Sequence, residues 1–588
     1  MVCQQPPSRA SGRMYPRVFV YGITYATAND SAYDRRIGIA RQPRPGRGTT
    51  GKEGNMGVET TANVAPEPGI EQANRGIGAR QPGRASISRR SLLRAAGAGA
   101  AGAVALPWLG RAAAVAQEAT PAAPIGDAAW NDLANRLRGR LLRPNDTMYP
   151  AAAIINATRY ARTRPEGIAV CAVPEDAATC VRWARETGVP FAVRSGGHSY
   201  AGFSNSEGLV IDVKGMNAVV VDPANATVTV SGGANNADVG EALARYGVYF
   251  PGGRCPTVGV SGLTLGGGWG FSNRHLGMTC DSLVSTHLAT ASGDIVTASE
   301  RENPDLFWAI RGAGGGNFGV HTGFTYRVVS AGEASVFSLA WAGGDTPAIV
   351  DALCRMQVDG PRELGLRLAM RSQSRTPLAD PAPLDVDVIG LYWGPQDELD
   401  ELLAPVERVQ APDSRTVAAL PFPAARAFLA ATTPTGTYGI KTGFISGSPS
   451  AESITTMLEW ITRMPGVPSR AQESTVGLYC WGGAVNDVPA DATAFVHRDA
   501  DLMFKCEVLW EPQDDPDRVV ANLDWLEAFH AAMQPHLSGG AYQNFTDRSQ
   551  EDWQHAYYGE NFDRLVQVKR QWDPENLFRF QQSIPVAV

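Results

Sequence analysis

The chain has 588 residues, 44% apolar and 19% charged, a globular composition long enough for about three or four domains, which excludes a collagenous or wholly disordered protein. A net charge of −7 leaves no basic excess with which to neutralise phosphates, so a nucleic-acid footprint is excluded too. The eight cysteines include no CxxC and no His/Cys cluster at metal spacing, which argues against a metal site.

Residues 1–87 are rich in Gly, Pro and Arg without apolar periodicity, and the expectation is a disordered leader, of which residues 1–55 are untranslated if the natural start is Met56. Ser88-Arg89-Arg90-Ser91-Leu92-Leu93-Arg94 follows, then an Ala/Gly-rich apolar run over 95–109 and Ala114-Val115-Ala116. Paired arginines, a moderately apolar segment and a small-x-small end read as an export signal of the twin-arginine type over 88–116. The run is shorter than the ~20 residues a bilayer needs, so no stable membrane span is expected and the mature protein is placed in the periplasm or outside the cell. Without residues 1–116 seven cysteines remain, an odd number that leaves one thiol over for another use.

The spacing of Trp130, Leu133, Leu137 and Leu141 predicts a helix over 127–143. Next come a buried strand over 167–173, an amphipathic helix opened by Pro174-Glu175-Asp176, and a strand over 190–194. Short β runs at 209–213, 218–221 and 227–230 precede a helix at 236–246. A hairpin about Ser292-Gly293-Asp294 and a helix with Pro304 near its start come next, and a strand over 323–329 ends this half. Strand-like runs at 366–370, 386–392, 475–479 and 502–510 then interleave with helices at 346–356, 396–403, 451–464 and 516–533, the pattern of a second α+β domain.

Three stretches carry chemistry. A strand running into Arg194-Ser195-Gly196-Gly197-His198-Ser199 offers a concave turn of backbone N–H groups suited to a pyrophosphate, with His198 at its lip. Nine glycines between Gly252 and Gly277 mark a backbone made to lie against a ligand, and Cys255 sits among them with little side-chain bulk to bury it. Gly314-x-Gly316-x-x-Gly319 matches the dinucleotide fingerprint, but a helix precedes it and a strand follows, the reverse of what that fingerprint requires.

Taken together, Pro190 through Ser199, Gly253-Arg254-Cys255-Pro256-Thr257-Val258-Gly259-Val260-Ser261-Gly262 and Gly314-Gly315-Gly316-Asn317-Phe318-Gly319-Val320 resemble the flavin domain of FAD-linked oxidases related to vanillyl-alcohol oxidase. The ending Tyr557-Tyr558-Gly559-Glu560-Asn561-Phe562-Asp563-Arg564-Leu565, with Asp573-Pro574-Glu575-Asn576-Leu577-Phe578, narrows the resemblance to the berberine bridge enzyme-like group. It implies an α+β fold: a two-part FAD-binding domain of the PCMH type over 127–330, a substrate domain over 331–540 with an antiparallel sheet, and a segment over 541–588 returning to the FAD domain.

The resemblance also implies FAD bound bicovalently, His198 to the flavin 8α carbon and Cys255 to its sixth ring carbon, a double tether that tends to raise the flavin's potential. Arg194, Ser195, Gly196, Gly197, Ser199, Val258, Gly259, Gly262, Gly319, Val320 and Asn544 are the further cofactor-binding residues it implies. Val258 takes the position that lines oxygen's approach, where a small side chain favours an oxidase. Tyr542, in Ala541-Tyr542-Gln543-Asn544-Phe545, is expected to be the base, and needs neighbours that favour its phenolate; otherwise it is a buried aromatic with a satisfied hydroxyl. Phe545 and Trp481 stand where relatives often have tyrosines, and Tyr479 is a candidate to compensate. Substrate and O2 are the expected partners, the substrate being an alcohol or hemiacetal of an oligosaccharide or secondary metabolite, for which Trp393, Trp481 and Trp510 are candidate stacking residues. A same-fold dehydrogenase with another acceptor and a non-catalytic flavin-binding protein are the alternatives.

Overall fold

The computed structural model describes residues 125–372, 384–431, 435–466 and 475–587; the export-signal segment and the leader before it lie outside the described residues. The single helix expected over 127–143 is cut short. It spans Asp127–Arg136, Leu137 is extended, and the chain continues as β1 (Arg140–Leu142), antiparallel to β2 (Gly167–Val170). Two interactions outweigh the extra helical turn. The Asp176 carboxylate accepts the N–H groups of Arg138 and Gly139 at 2.7 and 2.9 Å, and Gly139 lies so close to β2 that a Cβ there would stand 2.0 Å from the Val170 oxygen.

Helix Pro174–Thr187 carries the chain over to β3 (Phe191–Arg194), and β4 (Leu209–Asp212) inserts parallel to both β2 and β3, giving the order β1-β2-β4-β3. Parallel strands are covered on both faces, hence their unbroken apolar runs. Ala169, Val181, Trp183 and Ile211 pack in the core between helix and sheet.

The next strands are β5 (Val219–Asp222), β6 (Thr227–Ser231), β7 (Val248–Tyr249), β8 (Leu283–Ala289), β9 (Ile295–Ser299), β10 (Val320–Arg327) and β11 (Val329–Ser330). Five of them form an antiparallel sheet, β5-β6-β10-β8-β9, and β7 pairs with β11. The 314–319 glycine loop joins helix Pro304–Ile310 to β10, so the helix does come first and the strand second. Helix Phe562–Trp572 returns from the far end of the chain, and its Leu565, Val566 and Val568 join Phe307 and Ile310 in the core beside this sheet.

The remaining strands are β12 (Glu333–Ala342), β13 (Leu364–Ser372), β14 (Leu384–Tyr392), β15 (Ser414–Pro421), β16 (Thr437–Ile445), β17 (Thr475–Cys480) and β18 (Leu502–Trp510). They form one antiparallel sheet in the order β15-β12-β14-β13-β17-β18-β16, which bears out the α+β class expected from the sequence. Three of these strands, β12, β15 and β16, go beyond the runs read from the sequence. Side chains alternate between faces along a strand, and the two faces of this sheet differ in kind. Leu366, Leu368 and Met370 of β13, Val476 and Leu478 of β17, and Phe504, Cys506 and Val508 of β18 share a core with helices Thr346–Asp359, Gln396–Val409, Ala451–Thr462 and Pro516–Met533. The residues between them face the other way.

Candidate active site

The two reactive loops found in the sequence meet through glycine. A Cβ on Gly196 would lie 2.2 Å from the Gly259 nitrogen, and one on Gly259 would lie 2.4 Å from the Gly196 nitrogen, so only paired glycines let the loops touch. His198 Nε2 stands 2.9 Å from Thr257 Oγ1, a second stitch between them. Burial, aided by the charge of Lys214, pulls the His198 imidazole down to about 4, and the ring is neutral at ordinary pH. Cys255 is partly exposed, whereas Cys171, Cys180, Cys280, Cys354, Cys480 and Cys506 are buried, and the seven form no disulfide.

Both side chains line one cavity of about 400 Å³, a size usual for a cofactor or substrate site. Ser195, Gly196, Gly197, Ser199, Val258, Gly259, Gly262, Gly319, Tyr542 and Asn544 line it as well, so twelve of the fourteen expected site residues are brought together. A Cβ on Gly262 would meet no atom within 4 Å, and ones on Gly314, Gly315 and Gly316 would have no neighbour nearer than 3.6 Å. That bare backbone is a bed for a flat group, and with a neutral imidazole and a thiol on its wall the residues present fit FAD. Gly262→Val should accordingly fold, since its new side chain enters open space, yet be recovered without flavin absorbance. A flavin content equal to wild type would show that the bed lies elsewhere.

Arg194 and Val320 are placed differently. The Arg194 side chain is wholly buried beneath its loop, where the guanidinium donates to the Ala152 and Ser204 carbonyls at 2.6 and 3.1 Å and to Asn205 Oδ1 at 3.1 Å. With its donors committed to holding the loop, it contributes shape to the cavity and no contact. Val320 begins β10 and turns into the core with Ala289 and Phe578.

Opposite the flavin loops, the face of the seven-stranded sheet turned away from those helices closes the cavity. Strand register decides what meets there: Arg367 is directly across from Tyr479, Gly477 from Lys505, and Thr475 from Glu507. All six therefore share one face, and Arg367, Tyr479, Lys505 and Glu507 line the cavity. Tyr479 Oη accepts from Arg367 Nε at 3.2 Å and from Lys505 Nζ at 3.4 Å, while Lys505 pairs with Glu507 at 2.6 Å. Burial pushes the Tyr479 hydroxyl up, but the charges of Arg367, Lys505 and Arg254 overcome that and hold it below the ordinary tyrosine value, against an opposing push from Glu507. Apart from Tyr479, this group escaped the sequence reading. The signal was polar alternation, Lys505-x-Glu507, within an otherwise apolar strand.

Tyr542 lies in the same wall in a different setting. Its Oη accepts the N–H groups of Gly268 at 3.1 Å and Trp269 at 3.0 Å and the Asn544 amide at 3.1 Å, and burial pushes the hydroxyl well above its usual value despite those donors. Asn544 also donates to the Leu263 carbonyl at 2.9 Å, pinning the tyrosine to the glycine segment. The tryptophans considered for sugar stacking are elsewhere. Trp481 is fully buried with its Nε1 on the His497 carbonyl, Trp393 stacks on Phe422, and Trp510 lies under the Arg159 guanidinium; none lines the cavity, whose lining includes the rings of Tyr200, Tyr438 and Phe545 instead.

Comparison with known proteins agrees with this architecture. Residues 165–299 match the family described as FAD binding domain, and residues 541–585 match the one described as Berberine and berberine like. The FAD-linked oxidoreductase YgaK of Bacillus subtilis (strain 168) is 33% identical over 464 residues, covering 76% of this chain and 97% of that protein. The xylooligosaccharide oxidase of Thermothelomyces thermophilus is 30% identical over 453 residues, covering 72% of this chain and 88% of its own. Among solved structures, BBE-like 1 of Physcomitrella patens superposes with a TM-score of 0.71 at 26% identity, covering 78% of this chain and 99% of that one. With a PCMH-type flavin domain, a berberine-like ending and relatives matched over nearly their whole length, the chain belongs to the FAD-linked oxidoreductases of the berberine bridge enzyme-like group, within the vanillyl-alcohol oxidase superfamily.

Proposed function

We propose that this protein is an oxidase that removes two electrons from an alcohol or hemiacetal carbon, on an oligosaccharide or a secondary metabolite, giving a carbonyl compound or a lactone respectively, with its FAD held covalently by both His198 and Cys255. The observation that carries this reading is the convergence of a neutral imidazole and a partly exposed thiol on one cavity above an open glycine bed. Bound there, the flavin supplies hydride acceptance and passes the electron pair to O2, yielding hydrogen peroxide.

The chain's own residues do the rest. His198 has one ring nitrogen engaged by Thr257, which leaves the other to bond the flavin. Val258 lines the cavity beside Cys255, and its small side chain leaves room for O2 to reach the isoalloxazine. Tyr200, with its ring centroid 5.0 Å from those of both Tyr438 and Phe545, gives the cavity an aromatic surface on which a sugar or phenolic ring can lie. The xylooligosaccharide oxidase named above supports the oligosaccharide branch of this proposal. Export by the twin-arginine route belongs to the same reading, and no helix among the described residues is long and apolar enough to cross a membrane.

The test is to mix the holoenzyme anaerobically with a panel of oligosaccharides and aromatic alcohols, follow flavin bleaching, then admit air and measure peroxide. Bleaching by at least one donor and near-stoichiometric peroxide on reoxidation are expected. Bleaching that air does not reverse on the turnover timescale would make the enzyme a dehydrogenase with another acceptor, and absence of bleaching by every donor would overturn the reading.

A further inference from the structure

We propose that Tyr479, held between Arg367 and Lys505 on the cavity face of the seven-stranded sheet, is the base that takes the substrate's hydroxyl proton, and that Tyr542 instead positions the glycine segment. The assignment rests on the oxidase reading above and adds the identity of its base.

Two buried tyrosines compete for the role. Tyr542 Oη collects three N–H donors, two of them backbone groups of Gly268 and Trp269, and these contacts fix a loop whose glycines sit at φ values of 102° and 92°. No cation contacts it in those bonds. Tyr479 is only 4% exposed, its oxygen is met by a guanidinium and an ammonium, and both cations line the cavity with it. The N–H donors of Tyr542 also favour its phenolate, but burial outweighs them there, whereas at Tyr479 the adjacent cations outweigh burial.

The arrangement depends on Gly477. It stands directly opposite Lys505, and a Cβ there would press to 2.9 Å from a ring carbon of Tyr479. The bare position lets the tyrosine ring and the lysine lean together over the strand. Facing Tyr479 from the neighbouring elements are Arg367 on β13, Lys505 and Glu507 on β18, Arg254 beside Cys255, and the Tyr200 hydroxyl, with the rings of Trp269 and Phe545 closing the sides. Lys505 is shared, since its ammonium also pairs with Glu507 and lies 5.7 Å from the Phe545 ring centre.

In the step itself the substrate O–H bond breaks and a Tyr479 Oη–H bond forms. The electron pair left on the substrate oxygen closes the C=O bond as the C–H pair departs as hydride to the bound flavin. The negative charge of the phenolate is thereby neutralised, and the proton returns to solvent after the carbonyl product leaves.

The experiment compares Tyr479→Phe, Tyr542→Phe, Lys505→Met and Glu507→Gln holoenzymes in two readouts. The first is an ultraviolet difference titration, which counts tyrosinates directly and needs no turnover. The wild type should show one tyrosine ionising below the ordinary value of about 10; that transition should vanish in Tyr479→Phe, persist in Tyr542→Phe and move to higher pH in Lys505→Met. The second is kcat/KM against pH on a donor identified by bleaching. Because the phenolate is the active form, activity should rise with pH through the same transition, fall about 10²–10⁴-fold in Tyr479→Phe at unchanged flavin content, and shift its acidic limb upward in Lys505→Met. An active holoenzyme whose limb is untouched by Tyr479→Phe but abolished by Tyr542→Phe or Glu507→Gln would overturn the assignment and pass the role to that residue. A wild type lacking any early tyrosinate overturns it whatever the substrate. A wild type with the early tyrosinate but inert toward every donor overturns the oxidase reading and the base assignment with it.

Discussion

Precipitated with acid, the wild-type protein should carry all of its flavin colour into the pellet, and the His198→Ala, Cys255→Ala double variant should release all of it to the supernatant. Each single variant should keep the colour in the pellet through the remaining link, with a shifted flavin spectrum. The expectation follows from geometry: the two side chains reach one cavity from loops whose backbones touch at Gly196 and Gly259, and a planar group on the glycine bed is within reach of both. It follows also from protonation. An imidazole held near 4 carries its lone pair at any pH at which the protein would be loaded, so attachment should not need alkaline conditions. Free flavin in the wild-type supernatant would sink the bicovalent reading while leaving non-covalent FAD binding intact.

Lys569→Met should be the most destabilising single substitution in the C-terminal segment, lowering stability by about 3–5 kcal/mol, the cost of leaving a buried charge without its partner. Lys569 and Asp573 are both completely buried. The ammonium donates at 2.7 Å each to the Asp573 carboxylate and to the Asn317 and Phe578 carbonyls. Asp573 in turn accepts the N–H groups of Leu577 and Phe578 at 2.7 and 2.8 Å. The pair thus ties the last helix to the glycine loop that holds Asn317 in the cavity wall. Removing the ammonium leaves the carboxylate buried and unties that loop, so flavin occupancy should fall together with the denaturation midpoint. Arg185→Met, which breaks the exposed pair with Glu575 on the same segment, is the control and should leave the midpoint nearly unchanged. Equal effects of the two substitutions would refute the buried Lys569–Asp573 pair as the tie that holds this segment.

Much of this protein was determined by sequence alone. Gly196, Gly197, Gly259, Gly262 and the 314–319 loop announce tight turns and close approach to a neighbouring loop or a ligand because glycine at such density suits neither helix nor strand, and the helix-then-strand order around 314–319 by itself removes a nicotinamide site. Strand and helix runs in the second half show an α+β domain because their apolar periods are local properties of the chain.

What tertiary structure decided is everything that depends on which strand lies beside which. Arg367 and Tyr479 are 112 residues apart and Lys505 is 26 beyond, yet register brings all three to one point. No local pattern carries that information, because an antiparallel sheet fixes facing partners only once its order and register exist, and a slip of one residue would turn Tyr479 and Lys505 toward the helices. The same holds for Arg194, whose place at the end of a strand reads as a ligand contact until the carbonyls of Ala152 and Ser204 are seen to close around it. Composition and periodicity mark where a cofactor lies; the charge that tunes a base comes from side chains distant in sequence, and only the assembled sheet brings those charges within reach of the phenol.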